Sequence, residues 1–564
     1  MGYDMNKYYF QTITLLLAVL LFRCAGPDAQ NEKTYDLILK GGTVYDGSGS
    51  SPTVADVGIK ADTIAAIGEL EDVRAEQVVD VSGLAVAPGF INMLSWANDD
   101  LLYDGRSQGD IRQGVTLEVM GEGSSMGPLN KEMKASMQSG QNNITYEVTW
   151  NTLGEYLTHL EEKGVSTNVT SFVGNATLRR YVMGYESRKP TEAEMDQMKQ
   201  LLRNEMEAGA VGLSSSLIYV PSTHADTEEL TELARVAAEY NGMYISHMRD
   251  EGDSLLQALD ELLSIARNAD IRAEVYHFKA SGQQNWSKLD SAIAMIEAAQ
   301  AEGLSVTTDM YNYPASSTGL KVVLPDWSKE GGYEGIMSRL DDAETRKKVL
   351  EEISFPSCPP SGILLVGFRQ DSLQQYIGQS LEAVASARGK TPEETVIDLF
   401  LANRGRIQAV YFSMSEDNVK KKIALPYMSF CSDASSMSAE GAFLENSTHP
   451  RAYGSFARLI GHYVRDEQVI PLHEAIRKLT ALPAENLNIR KRGKLVPGYY
   501  ADVVVFNPET FTDKATFEKP HQYAEGMQHV FVNGVQVINN GEHTGATPGR
   551  FVKGPGYKPA SPAM

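Results

Sequence analysis

The chain has 564 residues, too many for one small core, and its hydrophobic share of 42% and charged share of 22% are those of a soluble globular protein. Its formal net charge of -22 argues against nucleic acid as a partner, because binding phosphates requires an excess of positive charge. The same charge disfavours anionic ligands at long range, but it still allows one to be held by a local Arg or Lys.

The first 30 residues differ from the rest of the chain and predict a signal peptide. A mostly apolar run over residues 8–22 follows Lys7 and is too short to span a membrane. Residues 21–24 are similar to a lipoprotein cleavage box ending at Cys24, although Arg23 stands where a small residue is usual. Ordinary cleavage after the following Ala-Gly pair is the alternative. We expect export to the periplasm or outer membrane of a bacterium, with membrane attachment only through an N-terminal lipid.

Short strands separated by glycine turns occur at both ends of the chain. Residues 35–47 and 57–68 show this pattern after the leader, and residues 501–507 and 529–535 repeat it near the C-terminus. We therefore expect the two ends to form one β-rich domain, with the middle of the chain inserted between them.

The middle of the chain alternates strands with helices. Thr191 and Glu194 have capping-box spacing before one helix, and Gly242 stands where a glycine commonly ends the next. Repeated βα units predict a parallel sheet, and eight units would close as a TIM barrel with its chemistry at the C-terminal strand ends. The strand candidates are residues 115–120, 168–173, 211–215, 243–247, 272–277, 304–310 and 428–433.

Residues 321–426 fit this alternation less well, because they are charged and prone to form helices. We interpret much of this stretch as an insertion packed over the mouth of the barrel. Regular barrel units with long loops are the alternative.

Two histidines each end an apolar, strand-like run. His247 follows Tyr244-Ile245-Ser246, and His277 follows Val275-Tyr276, 30 residues later. That spacing fits a βαβ unit, which would place both imidazoles on neighbouring parallel strand ends. Neutral imidazole is the commonest protein ligand for Zn²⁺, so the pair predicts a metal site. The alternative is that each His merely caps its strand with a hydrogen bond.

Several short blocks share their order and spacing with one known family. They are residues 87–91, 114–119, 212–219, 247–251, 276–279, 309–313, 432–433, 449–454 and 517–523. From about residue 35 to 550 the chain resembles the N-acyl-D-amino-acid deacylases (D-aminoacylases) of the amidohydrolase superfamily. The resemblance implies an α/β fold, a metal-bearing (β/α)8 barrel with a small β-sandwich built from both termini. It also implies hydrolysis of the amide bond of N-acyl-D-amino acids, small-molecule substrates, to a D-amino acid and a carboxylate.

The expected domain boundaries combine the pattern of elements with this resemblance. They are a leader at 1–30, sandwich parts at 31–87 and 487–550, the barrel at 88–486 and an extended tail at 551–564.

Matched residue by residue, the resemblance assigns roles to eight side chains. It implies that His247 and His277 are zinc ligands and that Asp433 is the catalytic acid and base. It implies that the substrate's carboxylate end is held by Lys279, Tyr219, Tyr311, Ser317 and Arg451. The alternatives are that Asp433 caps a helix, that the two tyrosines are core aromatics and that Arg451 forms a structural ion pair.

The sequence departs from the family pattern at two places. The usual His-x-His after the first barrel strand is absent from residues 92–98, so we expect one zinc ion and not two. The bridging cysteine is also absent, and Glu122 lies within one residue of its position between Gly121 and Gly123. We predict Glu122 as the third zinc ligand, with a solvated or hydrogen-bonding role as the alternative. Asn175 stands where another His is expected, and we predict that it orients substrate.

Two other functions fit the same residues. One is a different amidohydrolase reaction, such as opening a cyclic amide or cleaving a dipeptide. The other is a non-catalytic binding protein, which the absence of His-x-His and of the cysteine would favour. The combination of His247, His277, Asp433 and Lys279 favours an enzyme, because it supplies metal ligands, a base and a cation.

Overall fold

The computed structural model describes residues 34–71, 73–141 and 144–559. The predicted signal peptide and Cys24 lie outside these residues. Within the described part of the chain, no helix is both long and apolar enough to cross a bilayer.

Strands occur at both ends of the described chain and, alternating with helices, through its middle. In chain order they are β1 Thr34–Val44, β2 Thr53–Lys60, β3 Thr63–Gly68, β4 Arg74–Asp80, β5 Ala85–Pro88, β6 Phe90–Asn92, β7 Val115–Met120, β8 Asn168–Ser171, β9 Val173–Gly174, β10 Gly212–Ser216, β11 Met243–His247, β12 Arg272–Val275, β13 Val306–Met310, β14 Ser316–Gly319, β15 Ile363–Gly367, β16 Gln408–Tyr411, β17 Met428–Phe430, β18 Val503–Phe506, β19 Met527–Val532, β20 Val535–Asn539 and β21 Glu542–His543.

The helices lie mainly between the barrel strands and in the segment after β14. The α-helices are Asp100–Tyr103, Gln108–Ile111, Lys131–Ser139, Leu153–Lys163, Asn175–Met183, Glu192–Ala208, Thr227–Glu239, Leu255–Ala269, Lys288–Ala301, Asp326–Lys329, Gly332–Asp341, Ala343–Glu352, Leu381–Arg388, Pro392–Asn403, Glu416–Ile423, Arg451–Arg458, Leu472–Leu479 and Ala481–Asn486.

The two ends of the chain share one sheet. β5 pairs in parallel with β1 and antiparallel with β18, which joins the N-terminal strands to β19, β20 and β21. Side chains from both ends, including Leu39, Ile59, Val503 and Phe531, form a common apolar core. The structure thus brings the two β-rich termini together, as the repeated strand pattern predicts.

The middle of the chain closes into a barrel of parallel strands. One sheet runs in the order β9, β10, β11, β12, β13, β17, and a second runs β6, β7, β8, with β8 and β9 separated only by Phe172. The ring closes between β17 and β6, where the Met93 amide donates to the Phe430 carbonyl at 3.3 Å and the Asp433 amide donates to the Leu94 carbonyl at 2.9 Å. The strands are short and almost wholly buried, as a sheet covered by helices requires.

The predicted capping box is present at the start of one helix, whereas the residue that ends the next helix is not the predicted one. The Thr191 hydroxyl accepts from the Glu194 amide, and the Glu194 carboxylate accepts from the Thr191 amide, which completes the capping box of Glu192–Ala208. After Thr227–Glu239 the left-handed residue is Asn241, with φ of 56°, and not the predicted Gly242. Asn tolerates this conformation better than most residues with a side chain.

The segment after β13 forms a small unit of its own. β14, β16 and β15 make an antiparallel sheet. Its apolar core, which includes Leu320, Leu365 and Phe400, is separate from that of the barrel. The unit starts at Ser316, earlier than the predicted boundary. The helix Glu416–Ile423 already packs into the barrel core through Val419 and Ile423.

Candidate active site

A cavity of about 690 Å³ lies at the carboxyl ends of the barrel strands, with β14 forming part of its wall. Nine of the ten predicted site residues line it, namely Glu122, Tyr219, His247, His277, Lys279, Tyr311, Ser317, Asp433 and Arg451. The structure therefore gathers in one place side chains that are far apart in the sequence.

Glu122, His247 and His277 form a compact set of metal-ligand atoms. Glu122 Oε1 lies 2.9 Å from His247 Nδ1 and 3.3 Å from His277 Nε2. One ligand atom from each side chain lies within 4.8 Å of the others, and all three residues are buried. In the described part of the chain, it is the one group of at least three His, Cys, Asp or Glu side chains whose ligand atoms lie close enough together to hold a metal ion.

The barrel strands and two glycines position these three side chains. His247 ends β11, His277 follows β12, and Glu122 follows β7 between Gly121 and Gly123, whose φ angles are 99° and 62°. A Cβ at residue 123 would lie 2.3 Å from the Ser216 Cβ, so only glycine allows the loop to approach β10 this closely. The two glycines thus allow the loop to bring the Glu122 carboxylate next to the two imidazoles.

The electrostatics of the three residues fit a bound cation. Burial opposes the ionisation of Glu122, but hydrogen bonds from His247 and His277 outweigh it and hold its pKa well below the usual range. The Nε2 atom of His247 is buried and has no hydrogen-bond partner among the described residues. An ionised carboxylate with two imidazoles is a ligand set that Zn²⁺ accepts, and an orphaned imidazole nitrogen is what such an ion would satisfy.

Glu251 ties His277 to Lys279. The Lys279 ammonium donates to Glu251 Oε1 at 2.6 Å and lies 2.8 Å from His277 Nδ1, which is itself 3.0 Å from Glu251 Oε1. Burial and the Lys279 charge disfavour the imidazolium, but Glu251 and Glu122 outweigh them and raise the pKa of His277 to about 10. The sequence analysis gave Glu251 no role, although it lies four residues after His247 and ends the shared block of residues 247–251.

The backbone at His277 is held in an uncommon conformation. Its φ is 34°, in the left-handed region, and its amide donates to Asp309 Oδ1 at 2.7 Å. Such a conformation in a residue with a side chain is typical of functional sites, where surrounding contacts maintain it. Asp309, near the end of β13, therefore orients the candidate metal ligand His277, a role that the sequence did not indicate.

Asp433 lies three residues after the end of β17, and its side chain lines the same cavity. Its Oδ1 accepts a hydrogen bond from Trp96 Nε1 at 3.1 Å, and its Oδ2 lies 2.7 Å from Arg451 Nη1. No helix begins in the residues that directly follow Asp433, so the alternative of a helix cap does not apply. Two donors hold the carboxylate, and the sequence analysis predicted neither contact.

Arg451, Tyr311 and Ser317 form one wall of the cavity. The Arg451 guanidinium carbon lies 4.3 Å from the centre of the Tyr311 ring, and Arg451 Nη2 donates to the Ser317 carbonyl at 3.3 Å. The Tyr219 hydroxyl lies 2.8 Å from Thr318 Oγ1, next to Ser317 on β14, and the Tyr219 ring centre is 5.6 Å from that of His247. Both tyrosines thus line the cavity, Tyr311 as a buried side chain and Tyr219 as a half-buried one.

Asn175 is the predicted site residue that the structure does not bring to the cavity. Its Nδ2 donates to Glu229 at 3.2 Å, and its Oδ1 accepts from Ser222 at 2.7 Å. Glu229 also pairs with Arg179 in a fully buried ion pair. The amide is therefore occupied in a structural network, and the prediction that it orients substrate has no support in its surroundings.

The strand end where a His-x-His motif is usual contains a different network. Asn92 Nδ2 donates to Ser432 Oγ at 2.8 Å, to Glu118 at 3.2 Å and to Asp110 at 3.3 Å. Burial raises the pKa of both acids, and their partners in this network are Asn and Ser side chains.

The sequence of the chain is similar to a known family profile and to known proteins. The sequence profile described as amidohydrolase family matches residues 446–538. The chain is 34% identical to a D-aminoacylase of Alcaligenes xylosoxydans xylosoxydans, over 93% of this chain and 98% of that protein. It is 32% identical to an N-acyl-D-glutamate deacylase of the same organism, over 90% of this chain and 94% of that protein.

Two solved structures show the same similarity in three dimensions. One is a D-aminoacylase studied for its binuclear metal centre, in which one metal activates and the second attenuates. It is 33% identical, has a TM-score of 0.77 and is matched over 92% of this chain and 100% of that chain. The other is an N-acyl-D-glutamate deacylase of Bordetella bronchiseptica with zinc and a phosphonate that mimics the tetrahedral intermediate. It is 31% identical, with a TM-score of 0.76 and the same coverage.

Proposed function

This chain belongs to the D-aminoacylase family of amidohydrolases, and on that premise we propose that it releases D-amino acids from N-acyl-D-amino acids by hydrolysing their amide bond. The predicted family, fold class and enzyme class are confirmed by that membership. The observation that carries the proposal is that Glu122, His247 and His277 share one cavity with Asp433 and Arg451.

One zinc ion is the proposed cofactor, held by Glu122, His247 and His277. When bound, it would polarise the amide carbonyl and lower the pKa of water. The choice of one ion is supported by the Asn92 network, because the residues that would complete a second site are absent from residues 92–98. The choice of zinc is supported by the donor set of one carboxylate and two imidazoles.

Asp433 is proposed as general base and then general acid. It would accept a proton from the attacking water and return it to the departing amide nitrogen. In the structure, Arg451 pairs with Asp433 Oδ2. A substrate carboxylate that draws Arg451 toward itself would therefore free this oxygen for the proton. Trp96 keeps its bond to the other oxygen, so the carboxylate stays oriented.

The carboxylate end of the substrate is proposed to bind at Arg451, Tyr311 and Ser317. Arg451 offers a planar set of donors suited to a carboxylate, and it is stacked on Tyr311, which restricts its movement. Lys279 adds positive charge nearby, since its ammonium lies 5.7 Å from the centre of the Tyr311 ring. Tyr219 would contact the substrate between β14 and His247.

The proposed function predicts a clear preference in an assay with paired enantiomers. We expect N-acetyl-D-amino acids to be hydrolysed and their L-enantiomers to be hydrolysed at least about a hundredfold more slowly, because a fixed carboxylate and a fixed amide leave only one direction for the side chain. Amino-acid release would be measured for each enantiomer beside a cyclic amide and a dipeptide. Faster turnover of either of the last two would reject the proposal.

Trp96 is expected to act as a positioning residue for the base. Replacing Trp96 by Phe removes the Nε1 donor to Asp433, and we expect kcat to fall roughly tenfold with KM changed by less than about threefold. The control is Trp286→Phe, which removes a similar donor to the Ser413 carbonyl outside this cavity. A rise in KM at unchanged kcat would assign Trp96 to substrate binding instead.

The location of the protein is also a proposal. Export, with either a cleaved signal peptide or a lipid on Cys24, is supported by the apolar run at residues 8–22 and by the lipoprotein-like residues 21–24. N-terminal sequencing of the mature protein and labelling with a radioactive fatty acid would separate these forms. An intact residue 1 on the mature chain would reject both.

A further inference from the structure

The cavity contains two positive charges that the proposed mechanism does not use. Lys321 follows β14, and Arg406 precedes β16, so both belong to the small unit beside the barrel mouth, and both line the cavity. By contrast with Lys279 and Arg451, neither forms an ion pair with an acid anywhere in the described chain.

The absence of an acidic partner does not reflect a shortage of acids. The chain has 73 Asp and Glu residues against 51 Lys and Arg residues. Burial, followed by the charges of Arg406 and Lys329, lowers the pKa of Lys321 to about 8. The ammonium thus remains mostly protonated at neutral pH in surroundings that would favour an anion beside it.

Other groups around Lys321 are also arranged for a ligand. The Lys321 ammonium lies 5.5 Å from the centre of the Tyr219 ring and 5.4 Å from that of Tyr333. The Tyr333 hydroxyl is buried and has no hydrogen-bond partner among the described residues. A Cβ placed at Gly319 would lie 3.5 Å from this hydroxyl and 3.8 Å from Arg406 Nε. The glycine therefore leaves space beside the Tyr333 hydroxyl, and because Arg406 Nε donates to Gln408 Oε1 at 2.8 Å, the terminal nitrogens of that guanidinium are the donors left for a ligand.

This group of donors is close to the metal ligands. Tyr219 separates the two, since its ring centre is 5.6 Å from that of His247 on one side and 5.5 Å from the Lys321 ammonium on the other. A substrate whose amide lies at the metal ligands would need only a short chain to reach Lys321. The carboxylate next to the amide is already provided for by Arg451.

We propose that Lys321, Arg406 and the Tyr333 hydroxyl form a subsite for a second carboxylate on the substrate, an inference that rests on the proposed function. The preferred substrates are then dianionic N-acyl-D-amino acids. The second carboxylate belongs either to an acidic side chain, as in D-glutamate or D-aspartate, or to a dicarboxylic acyl group. In both cases the second carboxylate pairs with the Lys321 ammonium and the Arg406 guanidinium, and it accepts a hydrogen bond from the Tyr333 hydroxyl.

Pairs of substrates that differ only in this charge test the subsite. We expect the wild-type kcat/KM for N-acetyl-D-glutamate to exceed that for N-acetyl-D-glutamine at least roughly tenfold, since the amide is nearly isosteric but neutral. N-succinyl-D-leucine against N-butanoyl-D-leucine tests the acyl source in the same way. A preference in one pair identifies the source of the carboxylate, and no preference in either pair overturns the proposal.

Lys321→Met should remove the preference selectively. We expect kcat/KM for the dianionic substrate to fall roughly tenfold to a hundredfold and that for its neutral partner to change by less than about threefold. Lys321→Arg should keep most of the preference. Lys348→Met is the matched control, because this exposed lysine of the same unit lies outside the cavity. An equal fall for both substrates would show that Lys321 holds the carboxylate next to the amide, and it would overturn the subsite.

Binding measurements separate this proposal from the proposed function. Calorimetry with Asp433→Asn protein would compare the Kd of N-acetyl-D-glutamate with that of N-acetyl-D-glutamine, with and without Lys321→Met. Failure of the wild-type enzyme to hydrolyse any N-acyl-D-amino acid would reject the function. The difference in Kd would then still decide the subsite, because tighter binding of the dianion that depends on Lys321 supports it and equal binding overturns it.

Discussion

Replacing Asp433 by Asn is expected to lower kcat for N-acyl-D-amino acids by about 10²- to 10⁴-fold, the range typical for loss of a general acid or base. Asn has nearly the same shape, but its side chain cannot accept a proton from water at neutral pH. Because Asp433 is not among the three metal-ligand residues, the metal content should stay at the wild-type level. Initial rates and elemental analysis of the same preparations measure both quantities.

Two outcomes would contradict this assignment. Turnover within about tenfold of wild type would show that another group transfers the proton. Loss of metal together with activity would show that Asp433 holds the ion.

Arg451→Lys is a useful comparison, because it keeps a positive charge beside Asp433 while removing the planar donor set. We expect it to raise KM more than it lowers kcat, since its main proposed partner is the substrate.

The two histidines of the candidate metal site could be expected to lie together because their positions follow from simple geometry. His247 and His277 end neighbouring parallel strands, and the paired register of β11 and β12 brings their ring centres to 4.4 Å. Residue type and strand order were sufficient to infer this. Glu122 was predicted from its place within one residue of the family's cysteine position, and the glycines beside it have the positive φ angles that bring its backbone close to the site.

The residues that orient the site could not be predicted in the same way. Trp96 and Asp433 are 337 positions apart in the sequence, and Glu251 and Lys279 are 28 apart. Their contacts exist only because the barrel closes and because loops fold over its end. A single sequence contains the residues but not these distances, so ordinary Trp and Glu side chains gave no signal.

Asn175 is the predicted site residue that lies outside the cavity lining. It was predicted to orient substrate because it stands where the family pattern has another His. In the structure Asn175 is the first residue of the helix Asn175–Met183, and the turn into this helix directs its amide to Ser222 and Glu229. Whether a residue ends a strand or begins a helix decides where it points, and a pattern of hydrophobic residues does not resolve that one-residue difference.

Replacing Glu122 by Gln is expected to remove the metal as well as the activity. The neutral amide is a weak ligand for Zn²⁺, and its NH2 group would present hydrogens to the imidazole nitrogens that Glu122 now contacts. We expect zinc retained after dialysis to fall from about one equivalent to well below half, and kcat/KM to fall at least about a hundredfold, because even outer-sphere changes cost tenfold to a hundredfold. Mass spectrometry of the dialysed protein gives the zinc content.

Asp433→Asn is the matched control for this experiment, because it also replaces one cavity carboxylate by an amide. Zinc should remain in that variant and leave the Glu122→Gln variant. Since a weakened site can still be filled by mass action, added zinc should partly restore the activity and raise the Tm of Glu122→Gln but not the activity of Asp433→Asn. Full zinc retention in Glu122→Gln would mean that the two histidines hold the ion without this carboxylate. The third ligand would then have to be sought at Glu251, whose Oε2 lies 3.8 Å from His247 Nε2.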